Sequence, residues 1–380
     1  MDISSEENFD LEKIYKSRRQ KVYSYMKENS IDVAIFSDNE DCRDHSLRYL
    51  TGHPSDALAI LAASGRCILI PGDINLAKEK AHAEEIIPST NFDRSDLKAI
   101  KECLKKIDFS SSKKIAFPPA TTYVNFEKFK IELNDFNLEC KEDSIHSHVK
   151  KLRSVKDEYE IFSTRKACAI TDLMTQIIVE NVKKGIFKYE CDAALFAEKF
   201  LRENNAECTS FDTLCAGPDR SWAIHAFPSY TNAKWGSKGL SILDYGVCVN
   251  GYASDCTITL ARDIDAGQRK MLDLVQKAAD ECAKLYKKDS AICEAAKKAD
   301  EIFAEEGMKM PHSLGHGTGL DIHEAPFIRV KNEDTFQAGN IVTLEPGLYE
   351  KDLGGCRLEN DLLITDCGNE ILTHSKIFYL

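Results

Sequence analysis

The sequence predicts an α+β protein of two domains: an N-terminal α/β domain with a mixed sheet over residues 1–150, and a C-terminal domain of helix pairs and β-hairpins over 151–380. Three observations carry this. At 380 residues the chain exceeds what one hydrophobic core ordinarily organises. Strand-length apolar runs alternate with helix-period segments through the first 150 residues, the pattern of a sheet covered by helices. Beyond them, long amphipathic helices come in pairs, separated by β-branched runs with turn residues between.

Composition narrows the function. A 43% hydrophobic and 29% charged share is ordinary for a globular protein. The net charge of −12, from 50 basic and 62 acidic residues, argues against nucleic acid or an anionic membrane as partner. The opening MDISSEENFDLEK is acidic and has no apolar core, so no secretory signal is read there. No apolar run approaches the roughly 18–20 residues that cross a bilayer. The 14 cysteines include no C-x-x-C pair; Cys168, Cys191, Cys256 and Cys282 read as small buried hydrophobes. With no export signal, that usage points to a reducing cytoplasm.

In chain order, a helix is expected from Asp10 to Asn29, with Ile14, Val22, Tyr25 and Met26 among its apolar positions. Strands follow at IDVAIFS, ALAILAAS and RCILIPG, the last two joined by a turn at Ser64-Gly65. Helices are expected at Asn75–Glu85 and Ser95–Lys106, then a strand KKIAFP and a helix over Tyr123–Leu133. The segment SDNEDCRDHSLRYLTGHPSD, with Arg43, Asp44, His45 and Arg48 close together, reads as a charged loop. No phosphate loop or dinucleotide fingerprint occurs. The basic run Lys150–Lys156 marks the junction.

The second domain opens with a helix from Asp157 to Lys183, its apolar side carrying Ile161, Ile170, Met174, Ile177 and Ile178, with Gly185 past its end. A second helix covers Tyr189 to Asn204, and a strand and loop then deliver His225. In SILDYGVCVNGYASDCTITLA two β-branched runs meet at Asn250-Gly251, a strong hairpin signal. A two-residue turn there sets Val249 opposite Tyr252 and Gly246 opposite Asp255. Asp244 then shares a face with Asp255, Cα atoms roughly 7–8 Å apart. Paired strand acids can also be solvated surface. Further helices are expected at Ala266–Lys287 and Ala291–Glu306.

MPHSLGHGTGLDIHEAP gathers His312, His316 and His323, three of only 10 histidines. Gly315, Gly317 and Gly319 argue against a helix there and for a loop where backbone approaches something closely. NIVTLEPGLY and CRLENDLLIT read as strands. In the latter, Arg357 and Glu359 point the same way. Glu345 sits in an otherwise apolar run, where a carboxylate needs compensating charge. An Arg357–Glu345 ion pair without chemistry is the competing explanation. Four acids and one imidazole, with no thiolate set among them, suit a pair of first-row divalent metals.

The motifs LDYG…YASD, HSLGHGTGLDIHE, LEPGLY and RLEND, supported by LRSVKDEYEI and SFDTLCAGPDRSWAIHAFPS, resemble the pita-bread metallopeptidases. Within them the likeness is to the proline-specific branch of Xaa-Pro dipeptidases (prolidases) and Xaa-Pro aminopeptidases. It runs in register from about Leu152 to the C-terminus and more loosely through LRYLTGHPSDALAIL. The resemblance implies a creatinase-like N-terminal domain and a C-terminal pita-bread domain of curved antiparallel sheet covered by helices.

It also implies roles. Asp244 would chelate one metal and His316 and Glu345 the other, with Asp255 and Glu359 bridging both. A hydroxide between two divalent ions would attack the Xaa-Pro bond, and Glu345 would relay its proton. His225 and His323 match positions that contact substrate and stabilise the tetrahedral intermediate. His312 and Arg357 match positions that hold the substrate's far end, Arg357 as partner for a carboxylate. Mn²⁺ comes first by ligand hardness, with Co²⁺ or Zn²⁺ as alternatives. The implied partner is a small peptide with proline second, and the implied assembly is a homodimer.

In related dimers the N-terminal domain reaches the other subunit's active site, so the charged segment at Arg43 either tunes specificity or is a solvated loop. Competing functions are aminopeptidase P-type release of the N-terminal residue from longer peptides, a catalytically silent binding protein, and a non-peptidase C–N hydrolase.

Overall fold

Asp10 starts the first helix of the computed structural model, which describes residues 9–380. The acidic stretch before Phe9 lies outside the described residues. Asp10 Oδ1 accepts from Lys13 N at 3.0 Å and caps α1 (Leu11–Glu28). There follow β1 (Val33–Asp38), α2 (Ser46–Thr51), β2 (Ala57–Ala62), β3 (Arg66–Pro71), α3 (Ile74–Lys80), β4 (Glu85–Ile86), α4 (Asp96–Leu104), β5 (Lys114–Ala116), α5 (Tyr123–Glu132), β6 (Asn137–Glu139) and α6 (Ile145–Ser154). The chain divides into two compact units between Arg153 and Ser154.

The first unit's sheet has the order β4-β3-β2-β1-β5-β6. Its pairs β1–β2 and β2–β3 are antiparallel, while β3–β4, β1–β5 and β5–β6 are parallel, giving the expected mixed sheet. Val33, Ile35, Leu58, Ile60, Ile68 and Ile70 meet Ala99, Ile100, Cys103 and Leu104 of α4 in one core. Each such aliphatic side chain contributes roughly 1.5–3 kcal/mol when fully buried.

Two elements differ from expectation. The helix expected over Asn75–Glu85 stops at Lys80, because Glu84 is held by Arg19 Nη2 at 2.9 Å and by Cys67 N at 2.8 Å. Glu85-Ile86 then pairs with β3. The charged segment contains α2, whose Leu47, Tyr49 and Leu50 are buried. The division between the units falls within the basic run Lys150–Lys156, whose first residues lie in α6, which buries Ile145 and Val149.

The second unit comprises α7 (Glu158–Lys183), α8 (Glu190–Glu203), β7 (Cys208–Thr209), β8 (Leu214–Ala216), β9 (Gly239–Tyr245), β10 (Val247–Val249), β11 (Tyr252–Ala253), β12 (Cys256–Arg262), α9 (Ala266–Ala283), α10 (Ile292–Ala304), β13 (Gly315–Gly317), β14 (Glu324–Ile328), β15 (Ile341–Leu344), β16 (Gly347–Glu350), β17 (Gly354–Arg357), β18 (Asn360–Thr365), β19 (Gly368–Ile371) and β20 (Ile377–Tyr379). Asp157 and Glu160 form a reciprocal capping box that starts α7.

Each helix pair covers its own sheet. Met174, Ile178, Ala193 and Ala197 of α7 and α8 pack with Leu243, Tyr245, Ile258 and Leu260 of β9 and β12. Leu272, Val275, Ala299 and Phe303 of α9 and α10 pack with Val342, Leu344, Leu362 and Ile364 of β15 and β18. The two sheets meet along a seam where Thr257 bridges Glu359. Glu359 N donates to Thr257 O at 3.1 Å, and Arg357 N donates to Thr259 Oγ1 at 3.1 Å. That seam carries the site.

The cysteines form no disulfide. Cys168, Cys256 and Cys282 are buried as expected, but Cys191 is only half-buried, because it sits in the first turn of α8 beside the chain at Thr231. Among the described residues no helix is long and apolar enough to cross a membrane.

Candidate metal centre and active site

Turn chemistry sets the first two acids. Asn250 and Gly251 both have positive φ, 53° and 85°, as a two-residue hairpin turn requires. Val249 faces Tyr252, and the same count continues to Asp244 opposite Thr257. By that count Asp255 falls opposite Gly246. Asp244 is the penultimate residue of β9, and Asp255 immediately precedes β12.

His316 corrects the sequence reading. It lies in a strand, β13, rather than a loop, paired with Phe327 of β14. The flanking glycines are needed because strands crowd both sides. A Cβ on Gly315 would stand 2.1 Å from Thr343 O, and one on Gly317 2.3 Å from Ala325 O. His312 and His323 lie in the connections before and after. Glu345 directly follows β15, and Glu359 falls in the break between β17 and β18.

The five groups converge. His316 Nε2 lies 3.6 Å from Asp255 Oδ2 and 3.5 Å from Glu345 Oε1. Asp255, His316 and Glu359 each offer a ligand atom, all within 4.8 Å of one another. His316 Nδ1 donates to Gly317 O at 3.1 Å, which leaves Nε2 as the lone-pair nitrogen facing the acids. Arg357 Nη2 pairs with Asp244 Oδ2 at 2.5 Å and its Nε approaches Glu359 Oε2 at 3.9 Å. The ion pair thus forms with Asp244, not Glu345.

Burial makes this arrangement costly without a cation. Asp244, Asp255, His316 and Glu359 are all buried. Desolvation, then the neighbouring Glu359 and Asp244, push the Asp255 carboxyl well above its usual range. Desolvation with Glu345 and Asp244 does the same to Glu359. Glu345 is pushed up to about 8, chiefly by desolvation. Burial pushes His316 and His312 down to about 4, which keeps both imidazoles neutral. Asp244 Oδ1 and Asp255 Oδ1 are buried with no hydrogen-bond partner.

Protein interiors rarely leave such oxygens unpaired. Orphaned carboxylate oxygens beside a lone imidazole nitrogen form an oxygen-rich donor set that fits hard or borderline divalent cations.

A cavity of about 520 Å³ opens onto these groups, and His225, His312, His323, Phe227, Phe327 and Arg329 also line it. The His323 ring meets His316 edge-on at 4.3 Å. His312 Nε2 lies 3.2 Å from Tyr349 OH. Arg357 donates to Thr257 Oγ1 at 2.9 Å, Tyr349 OH at 2.6 Å, Ile224 O at 3.3 Å and Asp244. These bonds orient Asp244, and Arg357 also lines the cavity.

Three contributors are absent from the sequence reading. Thr257 Oγ1 donates to Glu359 Oε2 at 2.6 Å while accepting from Arg357 Nε. Asp361 Oδ2 accepts from Asp255 N at 2.7 Å. Tyr349 links Arg357 to His312. A signal existed for the first: Thr257 and Thr259 share a face with Asp255 in a strand whose other face, Cys256, Ile258 and Leu260, is apolar.

Residues 163–366 match the Metallopeptidase family M24, and residues 18–155 match the Creatinase/Prolidase N-terminal domain. An Xaa-Pro dipeptidase from Pyrococcus furiosus is 30% identical over 370 residues, 95% of this chain and 99% of that protein. The prolidase from Pyrococcus horikoshii OT3 superposes with a TM-score of 0.82 at 26% identity, covering 95% of this chain and 99% of its own. An Xaa-Pro dipeptidase from Bacillus anthracis gives 0.84 at 25% identity, covering 96% and 100%. With the likeness running through both domains and the catalytic half matched almost end to end, this chain belongs to metallopeptidase family M24, an enzyme of the two-domain α+β, pita-bread architecture.

Proposed function

We propose that this metallopeptidase hydrolyses the Xaa-Pro bond, in dipeptides first, with residues 151–380 as catalytic domain and residues 1–150 as the creatinase-like N-terminal domain. The observation that carries the reading is the convergence of Asp244, Asp255, His316, Glu345 and Glu359 around two unpartnered, buried carboxylate oxygens. Asp244, Asp255, Glu345, Glu359 and His316 would hold two divalent ions, Mn²⁺ first. Bound there, such ions supply Lewis acidity and make water nucleophilic at neutral pH.

The chain's own groups do the rest. Glu345, only partly covered at the cavity wall, is placed to accept a proton from the attacking water and return it to the prolyl nitrogen. That nitrogen leaves as a secondary amine and needs the proton. His225 and His323, exposed in the cavity, are placed to donate to the oxygen of the tetrahedral intermediate. Arg357 and Thr257 hold Asp244 and Glu359 in orientation. Among the described residues that line the cavity, the other cation is Arg329, placed to meet the dipeptide's carboxylate: it is exposed at the cavity and stacked 4.5 Å over Phe327.

Similarity to Xaa-Pro dipeptidases along almost the whole chain supports this substrate class. The cysteine thiols suit a cytoplasmic enzyme, and the homodimer is proposed by family likeness. The test offers Mn²⁺-loaded protein Ala-Pro, Gly-Pro and the tripeptide Ala-Pro-Ala in parallel. The dipeptides are expected to turn over with the higher kcat/KM, and activity is expected to disappear on chelation. Preference for the tripeptide would make the enzyme an aminopeptidase, and no cleavage of any would remove the reading.

A further inference from the structure

Strands β7 and β10 set two thiols side by side. Cys208 and Cys248 are register partners in an antiparallel pair, so both side chains leave the sheet on one face. Opposed residues have Cα atoms roughly 4.5–5.5 Å apart, inside the ~4.4–6.8 Å that a disulfide spans. Cys208 is exposed. Cys248 is half-buried between Val247 and Val249, which point inward. Cys208 is also the first influence on the Cys248 thiol, which it pushes up. Among the described residues no other two cysteines face each other across paired strands.

The pair is wired to the site. Cys248 Sγ lies 3.8 Å from Ser210 Oγ, and that hydroxyl donates to Ser254 O at 2.8 Å. The Ser254 carbonyl belongs to the peptide whose nitrogen is that of Asp255, held in turn by Asp361 at 2.7 Å. Ser254 N also donates to Val247 O at 3.0 Å, beside Cys248. One peptide plane thus connects the thiol pair to the backbone that carries Asp255.

We propose that Cys208 and Cys248 form a reversible disulfide on exposure to a hydroperoxide, and that closing it shifts Asp255. Cys208, the accessible thiol, attacks the peroxide as thiolate. The O–O bond breaks, an alcohol or water leaves, and Cys208 becomes a sulfenic acid. The Cys248 sulfur then displaces the hydroxyl, which leaves as water with the Cys248 proton, and the S–S bond forms. Two electrons pass from the thiols to the peroxide, and a dithiol reverses the step by exchange. Closure to about 2.05 Å between sulfurs draws Cys248 Sγ from Ser210. The effect on turnover rests on the metal centre proposed above; the crosslink does not.

The experiment treats the full-length protein with hydrogen peroxide, maps cysteines by differential alkylation and peptide mass, and measures Mn²⁺ affinity by equilibrium dialysis. A Cys208–Cys248 linked peptide is expected, released by dithiothreitol, with Mn²⁺ affinity lower by about 10-fold, as for loss of a group that orients a metal ligand. Cys208→Ser is expected to keep basal activity and to abolish both changes. Recovery of Cys208 and Cys248 as separately alkylated or separately oxidised peptides would overturn the site. A linked peptide with unchanged Mn²⁺ affinity would overturn its coupling to Asp255.

Discussion

Thr257 shows how much of the site depends on an uncharged side chain. Its hydroxyl donates to Glu359 and accepts from Arg357, both buried. Thr257→Val keeps the shape and removes both bonds, leaving charged partners unsatisfied at a cost of about 1–3 kcal/mol. Its expected effect is a loss of about 10–100-fold in metal affinity or kcat/KM, read by dialysis and by Gly-Pro kinetics; wild-type values for both would remove Thr257 from the account. Arg329 makes the opposite kind of prediction. It touches neither metal ligands nor the seam, so Arg329→Ala should raise KM for Gly-Pro by about 10-fold with kcat little changed. A fall in kcat with KM unmoved would count against a carboxylate-binding role.

At the scale of elements, β13 is the piece on which the site turns. It runs for three residues between β14 and β15 with glycine on either side of His316. In Gly315→Ala the added methyl would stand 2.1 Å from Thr343 O, so β13 must move away from β15. The expected cost is about 1–3 kcal/mol in urea denaturation, together with a weakened His316 contact and lower metal affinity. Unchanged stability would mean the strands yield more readily than their spacing implies.

The same element marks the limit of what the sequence discloses. The β9–β12 register was legible because turn residues and alternation are local signals, and both survive in the fold. Helices α7 to α10 were legible for the same reason, their caps and periods being written in neighbouring residues. A glycine-rich strand has neither signal, so His316 reads as a loop residue until its partners are placed. Glu84 meeting Arg19 and Cys67, and Thr257 pairing with Glu359, depend on contacts between distant segments that no local pattern encodes. The chemistry of the five proposed ligands was readable from residue type, and strand alternation put Thr257 on the face of Asp255; the support given by Asp361 and Tyr349 was not readable.

For the whole molecule the metal centre ties stability to pH. Without metal, Glu345 titrates near 8 against an ordinary value of 4.5, and Asp255 and Glu359 are raised as well. Between those values the folded state holds more protons than the unfolded one, so stability falls as pH rises through that window. Chelator-stripped protein is therefore expected to melt at a lower temperature at pH about 8.5 than at about 6.5. Mn²⁺, which binds the deprotonated ligands and releases their protons, should narrow or reverse that difference. A stripped protein that gains stability across the same interval would contradict the burial of these acids without compensating charge.

Four carboxylates and one imidazole from distant segments are proposed to hold the cations together. The most direct measurement is metal content per chain after Mn²⁺ loading and gel filtration, by mass spectrometry, for the wild type and for Asp255→Asn and Glu359→Gln. About two ions per wild-type chain are expected, with loss of at least one in each variant and the fold retained by circular dichroism. Wild-type protein that retains no ion, or variants that retain the full complement, would contradict this proposal.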